Sequence, residues 1–272
     1  MMRSLWTGAS GIIAQQTNVD TIANNLSNVN TSGYKAEKTE FKSLLYQTLQ
    51  TKTTTANGEE KPISAQVGLG TRVASNTSIF TQGALTANDS SSAFAIQGNG
   101  LFAIKGPDGE TYYTRNGNFQ WARDGATVSL CTQEGYHVLD SNGANIVLPA
   151  NVNSESVVFD SNSGQFGYKD NAGAYHALNH RIGIYQFRNT AGLEKQSNNL
   201  LAVTEASGEA MSEYTNNNLE RSKVVQNYLE ASNVQLADEM VNLIVAQRAY
   251  EMNSKVITTS DDMLGIANQL KR

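Results

Sequence analysis

The stretch Leu101-Phe-Ala-Ile-Lys-Gly-Pro-Asp-Gly-Glu-Thr-Tyr-Tyr-Thr-Arg-Asn-Gly-Asn-Phe-Gln-Trp-Ala-Arg-Asp-Gly-Ala-Thr-Val-Ser-Leu130 reads as short apolar runs cut by turn dipeptides. The runs are Leu101–Ile104, Tyr112–Thr114, Phe119–Trp121 and Val128–Leu130. Asp108-Gly109, Asn116-Gly117 and Asp124-Gly125 fall eight residues apart, and Asn142-Gly143 continues the series. Such pairs tolerate the positive φ angles of tight hairpins, so the spacing predicts antiparallel strands joined by short turns. Val157–Phe159 and Ile182–Phe187 extend the texture, which persists from about Ala93 to Val203.

Outside this region the period changes. From Ser4 to about Val29, Leu5, Ile12, Val19 and Leu26 recur every seven residues, with Ile22 and Val29 three residues after the last two. That predicts a helix with one narrow apolar seam, interrupted at Gly8 and Gln15. Gly8, Gly11 and the Thr, Asn and Val residues lower its intrinsic helicity, so the helix needs a partner. At the other end Ser232 and Gln235 read as a capping box. Beyond them Val234, Val245, Val256 and Ala267 are eleven residues apart, as are Val241, Met252 and Met263. An eleven-residue repeat keeps a stripe almost straight along a helix. Continued to the C-terminus, this helix is roughly 38 residues and on the order of 57 Å long.

The expected fold class is therefore α+β: long N- and C-terminal helices form a coiled-coil-like inner domain, with an inserted, mainly antiparallel all-β domain. The expected division is 1–30 with 232–272 as the helical assembly domain, 31–80 with 216–231 as a connecting domain, and 81–215 as an outer β domain. Within the connecting domain the polar stretch 48–66 is expected to be an extended or disordered loop, and Asn216-Asn-Asn218 a hinge.

Composition narrows the function classes. The 272 residues carry 20 Lys and Arg against 25 Asp and Glu, a net charge of -5, with no basic run; that excludes nucleic acid as a partner. The mean hydropathy is -0.39, and no apolar stretch approaches the roughly 20 residues that span a bilayer, so no membrane insertion is expected. Arg3 is followed by no continuous apolar core, so no cleaved signal peptide is expected either. The single cysteine, Cys131, reads as a small buried hydrophobe in a strand.

No catalytic, cofactor or metal site emerges. His176 and His180 are four apart but sit in a turn-and-strand context, without the glutamate of an H-E-x-x-H pattern. Cys131 and His137 are explained by a turn between strands, and Asp261-Asp262 point in different directions on a helix. Gly68-Leu-Gly70 and Gly98-Asn-Gly100 lack the third glycine and the helix of a dinucleotide site.

Two helices of unequal length cannot cover each other's apolar residues. The uncovered Val, Ile and Met side chains predict helix-to-helix contact between copies of the chain, at Leu5, Ile12, Val19, Ile22 and Leu26 from one end and Val234, Val241, Val245, Met252, Val256 and Met263 from the other. One alternative folds both helices back over the β domain. Another is an adhesin or carbohydrate-binding β module with helical anchors.

Two terminal segments carry a family resemblance. Asp20-Thr-Ile-Ala-Asn-Asn-Leu-Ser-Asn-Val-Asn-Thr-Ser-Gly-Tyr-Lys35 and Val241-Asn-Leu-Ile-Val-Ala-Gln-Arg-Ala-Tyr-Glu-Met-Asn-Ser-Lys255 resemble the terminal motifs of the rod and hook axial proteins of the bacterial flagellum. Gly98–Phe102 and Tyr113–Phe119 fit the same family, so the resemblance spans essentially the whole chain. It marks Asn24, Asn25, Asn28, Gly33, Gln247, Arg248 and Tyr250 as motif residues: the three asparagines bridging the first helix to the following turn, and Gly33 supplying that turn.

The resemblance implies a structural subunit and not an enzyme. It implies export through the flagellar apparatus without a cleaved signal, and helical assembly in the basal-body rod. The implied partners are copies of the chain, adjacent rod and hook proteins and a cap protein; contact with surrounding rings is left open. The long polar stretch before Gly68-Leu-Gly70 resembles the stiff distal rod more than the bending hook, with the proximal rod as the alternative.

Overall fold

The computed structural model describes residues 2–50, 65–125, 127–149, 152, 156–161, 163–169, 175–216 and 218–270. The chain divides into two compact units, one from residues 1–27, 37–78 and 235–272, the other from residues 28–36 and 79–234.

The first unit joins the chain ends. It holds α1 (Met2–Ser27), β1 (Glu37–Ser43), β2 (Tyr46–Gln50), β3 (Ala65–Gly68), β4 (Thr71–Ser78) and α2 (Leu236–Gln269). The helices pack on each other, and α1 also packs on β1 and β4. β1 and β4 form an antiparallel ribbon with Glu37 opposite Ser78 and a register shift at Glu40/Phe41. β2 and β3 form a second ribbon, Tyr46 opposite Gly68. The expected polar loop 48–66 thus has its two ends in paired strands; its residues 51–64 lie outside the described residues, as does Asn217 of the expected hinge.

The coiled-coil-like inner domain is not found, and the fold class needs correction. Among the described residues 21 strands stand against two α-helices, and the unit built from the chain ends contains two β ribbons of its own. The apolar stripe of α2 does not form a seam with α1: Val241, Val245, Met252, Val256 and Met263 are 60, 62, 68, 44 and 52% exposed. The physical reason is that smaller residues occupy the line of closest approach, as described below.

The start of α2 also differs. Ser232 does not cap it; its hydroxyl accepts from the Val234 amide at 3.3 Å. Gln235 stands at the N-cap without a side-chain bond, and the helix runs for 34 residues from Leu236. Val234 therefore precedes the helix and is buried in the second unit.

The second unit is β throughout apart from 3-10 turns at Thr190–Gly192 and Ser197–Asn199 among its described residues. Its strands are β5 (Leu85–Ala87), β6 (Phe94–Gln97), β7 (Leu101–Lys105), β8 (Thr111–Thr114), β9 (Gln120–Asp124), β10 (Thr127–Cys131), β11 (His137–Val138), β12 (Val147–Leu148) and β13 (Val157–Asp160). Then follow β14 (Gln165–Lys169), β15 (Tyr175–Arg181), β16 (Ile184–Gln186), β17 (Glu194–Lys195), β18 (Leu201–Ala202), β19 (Met211–Ser212), β20 (Lys223–Gln226) and β21 (Tyr228–Glu230). The main sheet runs β12-β10-β11-β7-β8-β18-β17, with β9 added on β10, β16 on β7 and β19 on β16. β13-β14-β15 form a separate sheet, while β20 pairs β6 and β21 pairs β5.

β7 is central because alternate residues face opposite sides of a strand. Phe102 and Ile104 enter the large core with Phe94, Phe119, Phe159 and Phe166. Leu101 and Ala103 enter a second cluster with Tyr113, Leu139 and Phe187. Phe94 meets Phe159 edge-on at 5.2 Å and Phe166 at 5.6 Å, the geometry that ring quadrupoles favour.

Three of the four quoted turn glycines, Gly109, Gly125 and Gly143, have φ of 78, 60 and 79°. Gly117 differs. It lies outside the positive-φ set, and glycine is needed because a Cβ there would strike the Phe94 carbonyl oxygen. Asn116-Gly117 is thus a point of close backbone approach, with the Phe94 amide donating to the Gly117 carbonyl at 3.0 Å.

Candidate functional site

The helix pair is built on small and polar residues. Ser4 and Ser260 are hydroxyl to hydroxyl at 3.0 Å. A Cβ on Gly8 would lie 3.1 Å from Ile257 Cγ1, and one on Gly11 2.8 Å from Asn253 Nδ2. Ala14 and Ala246 are buried almost completely. Ala246, Asn253 and Ser260 are seven apart, so one line of α2 faces α1 with little side-chain bulk between the backbones. Gly8, an interruption in the apolar pattern, is thus a contact point.

Once that line faces inward, the larger apolar residues of α2 turn outward. Of the α1 seam, Ile22 is buried and Leu5, Ile12, Val19 and Leu26 are half-buried. Val19 meets the motif residues Gln247 and Tyr250 in an open groove of about 500 Å³, which Gln16 and Glu251 complete. Arg248 donates from Nη1 to Glu251 at 2.8 Å on the exposed face, a pair of small energetic weight.

Asn25 ties α1 to β1. Its Oδ1 accepts from the Glu37 amide and its Nδ2 donates to the Glu37 carbonyl, both at 2.8 Å, while the residue is 1% exposed. Thr21 and Thr39 add a buried hydroxyl pair at 2.9 Å. Asn25 also hydrogen-bonds Glu239, whose carboxyl is raised by burial first; that bond opposes the rise, and Asp238 adds to it. In the second unit Asn28 accepts from Thr31 Oγ1 at 3.0 Å, and Gly33 has φ of 70°. Asn24 is exposed on α1.

Sequence reasoning missed a buried ionic cluster. Glu230 accepts from Lys35 Nζ at 2.6 Å, Arg115 Nε at 2.5 Å and the Gly83 amide at 2.9 Å, and its side chain is wholly buried. Arg115 also donates to the Gly100 carbonyl, and to Gly98 at 2.6 Å. Lys35 donates to the Thr81 carbonyl at 2.7 Å. Burial lowers the Lys35 pKa and Arg115 adds to the lowering, against the charge and hydrogen bond of Glu230. Beside the cluster, Gly33 donates its amide to the Glu230 carbonyl at 2.8 Å, and a Cβ there would collide with the Arg115–Asn116 backbone. The available signal was that Gly33, Lys35 and Arg115 all lie within the quoted motifs.

The remaining titratable groups are explained by packing. His180 pairs with Asp140 at 3.3 Å, His176 stacks on Tyr168, and Cys131 is buried 3.3 Å from His137 Nδ1. Among the described residues no three His, Cys, Asp or Glu side chains gather as a metal site, and no helix is long and apolar enough to cross a membrane.

Three family profiles match in chain order. They are described as "Flagella basal body rod protein" over residues 5–35, "Flagellar hook protein FlgE/F/G D1 domain" over 95–165 and "Flagellar basal body rod FlgEFG protein C-terminal" over 225–270. The flagellar basal-body rod protein FlgG of Borreliella burgdorferi is 44% identical over 273 residues, covering 100% of both chains. The proteins of the same name from Caulobacter vibrioides and Bacillus subtilis are 40% and 37% identical, over 99% and 100% of this chain and 100% of their own lengths. Matched along its whole length, the chain belongs to the flagellar basal-body rod protein FlgG family, a structural component of the flagellum and not an enzyme.

Proposed function

We propose that the chain is a subunit of the distal rod, polymerising helically into a stiff hollow shaft that transmits torque and encloses an export channel. The observation that carries this reading is the stripe of Val241, Val245, Met252, Val256 and Met263, exposed along a 34-residue helix. At about 25 cal/mol per Å² of apolar surface, covering these side chains supplies several kcal/mol for contact between copies. α1 and α2, within the expected assembly segments 1–30 and 232–272, supply the assembly helices. The stripe of one copy meets the half-buried α1 seam, at Leu5, Ile12, Val19 and Leu26, of another. A contact between unlike patches propagates without closing, as a filament requires.

The names of the relatives favour a rod over a hook. Adjacent rod and hook proteins are the partners at either end, with a cap protein during growth. The site of assembly is the rod within the cell envelope.

Electron microscopy of concentrated full-length protein tests the reading, with Val245→Asp as the matched variant. The wild type is expected to form polymers. The variant is expected to remain monomeric with the β unit folded, because an exposed carboxylate costs the monomer little and the buried contact much. Normal polymers from Val245→Asp would sink the assignment of the stripe.

A further inference from the structure

The second unit contains a cation-lined cavity that the helix-based contacts do not use. Its volume is about 340 Å³, and Arg181, Arg221 and Lys223 line it together with Ser161, Ser163 and Glu213. None of these three cations forms an ion pair among the described residues. Glu213 does not neutralise them through direct pairing. Its Oε1 accepts from Ser222 Oγ at 2.7 Å and from Gln186 at 2.8 Å, and its Oε2 accepts from the Ser222 amide at 2.7 Å.

The carboxylate instead fixes the turn that presents Arg221 and Lys223. Arg181 is held over the Tyr214 ring, 5.7 Å from its centroid. With the Gln165 amide oriented to accept, Arg181 also donates Nε and Nη2 to it at 3.0 Å, so the guanidinium is set in place before any ligand arrives. Ser163 Oγ is committed to Asp160 Oδ2 at 2.7 Å, so the three positive side chains are the groups that form a receptor for a carboxylate. Arginine forks bind that group in a bidentate manner.

The geometry points to this cavity as the docking site for an acidic side chain of a second copy of the chain, an inference that rests on the polymer reading above. Charge complementarity selects that occupant. The chain carries a net charge of -5, with Asp108, Glu110, Glu134, Glu205 and Glu209 all exposed in the same unit. In a helical polymer unlike patches of successive copies meet, and opposite charges there set register and partner choice. The contact adds a salt-sensitive β-to-β link to the apolar link between helices.

Sedimentation of the full-length protein across a salt series tests the proposal. Arg221→Glu/Lys223→Glu is expected to weaken self-association by about ten-fold or more at low salt and to flatten its salt dependence. Arg221→Lys/Lys223→Arg is expected to keep both. A charge-reversed variant that folds by circular dichroism and associates as tightly as wild type, with the same salt dependence, overturns the proposal.

A titration with glutarate, followed by the amide signals of Ser163, Tyr214 and Ser222, separates the cavity from the polymer reading. If the wild type never associates, the polymer reading fails and the second copy with it; saturable glutarate binding then still supports a carboxylate receptor. Absence of glutarate binding overturns the receptor itself. So does saturation by inorganic phosphate alone, which makes the cavity a phosphate site.

Discussion

Glu230 holds two cations in a place with no water to share the task. Glu230→Gln keeps the shape and one acceptor oxygen but leaves Lys35 and Arg115 buried as like charges, side chains each 5% exposed. The expected loss is about 3–5 kcal/mol, read as a lower denaturant midpoint for the β unit at unchanged slope. Tyr113 supplies a pH dependence. Burial first, and the neighbouring Tyr185 second, push its hydroxyl from 10.0 up to about 12. The folded state holds this proton more tightly than the unfolded chain, so the contribution is complete below pH 10.0 and is lost as pH rises to about 12. Lys35 acts in the opposite sense: its lowered pKa is a penalty at neutral pH, relieved as pH climbs towards 10.5. Tyr113→Phe is expected to flatten the fall in stability between pH 10.0 and 12, measured by denaturation at successive pH values. Little of this was legible in the sequence. A buried salt bridge between residues separated by |i−j| of 195 has no local pattern, whereas Gly109 and Gly125 announce their turns by dipeptide alone.

At the scale of elements, the hairpins and both helices were readable because their signals are local. Short apolar runs between turn dipeptides marked β7 and β10, and the eleven-residue repeat marked a long α2. The inward face of α2 was not readable. Ala246, Asn253 and Ser260 bear too little apolar surface to register as a stripe, while the valines and methionines that do register point away from α1. Hydrophobic periodicity reports which residues seek cover and not where the cover comes from. Ala246→Leu tests the small-residue line. The added bulk is expected to cost about 1–3 kcal/mol, so helical ellipticity melts at lower temperature while the β-unit transition stays put. Equal melting of variant and wild type would remove Ala246 from the packing line.

For the whole molecule, the division into two units follows from chain ends that return to each other, a relation the apolar seams of the two terminal helices already suggested. Deleting residues 51–62 is expected to leave polymers that bend more easily, since it removes much of the polar stretch that resembles the stiff distal rod; persistence lengths measured from micrographs check this, and unchanged stiffness removes the role of that segment. The Gly33–Glu230 backbone bond has a kinetic consequence as well. Without it, pairing α1 with α2 would close a loop of roughly 200 residues; with the β unit folded, about a dozen residues separate each helix end from the other through the tie, a difference of about 2.5 kcal/mol in closure entropy. The helices therefore acquire their high-separation contacts last, as a local event within a chain whose β unit is already set.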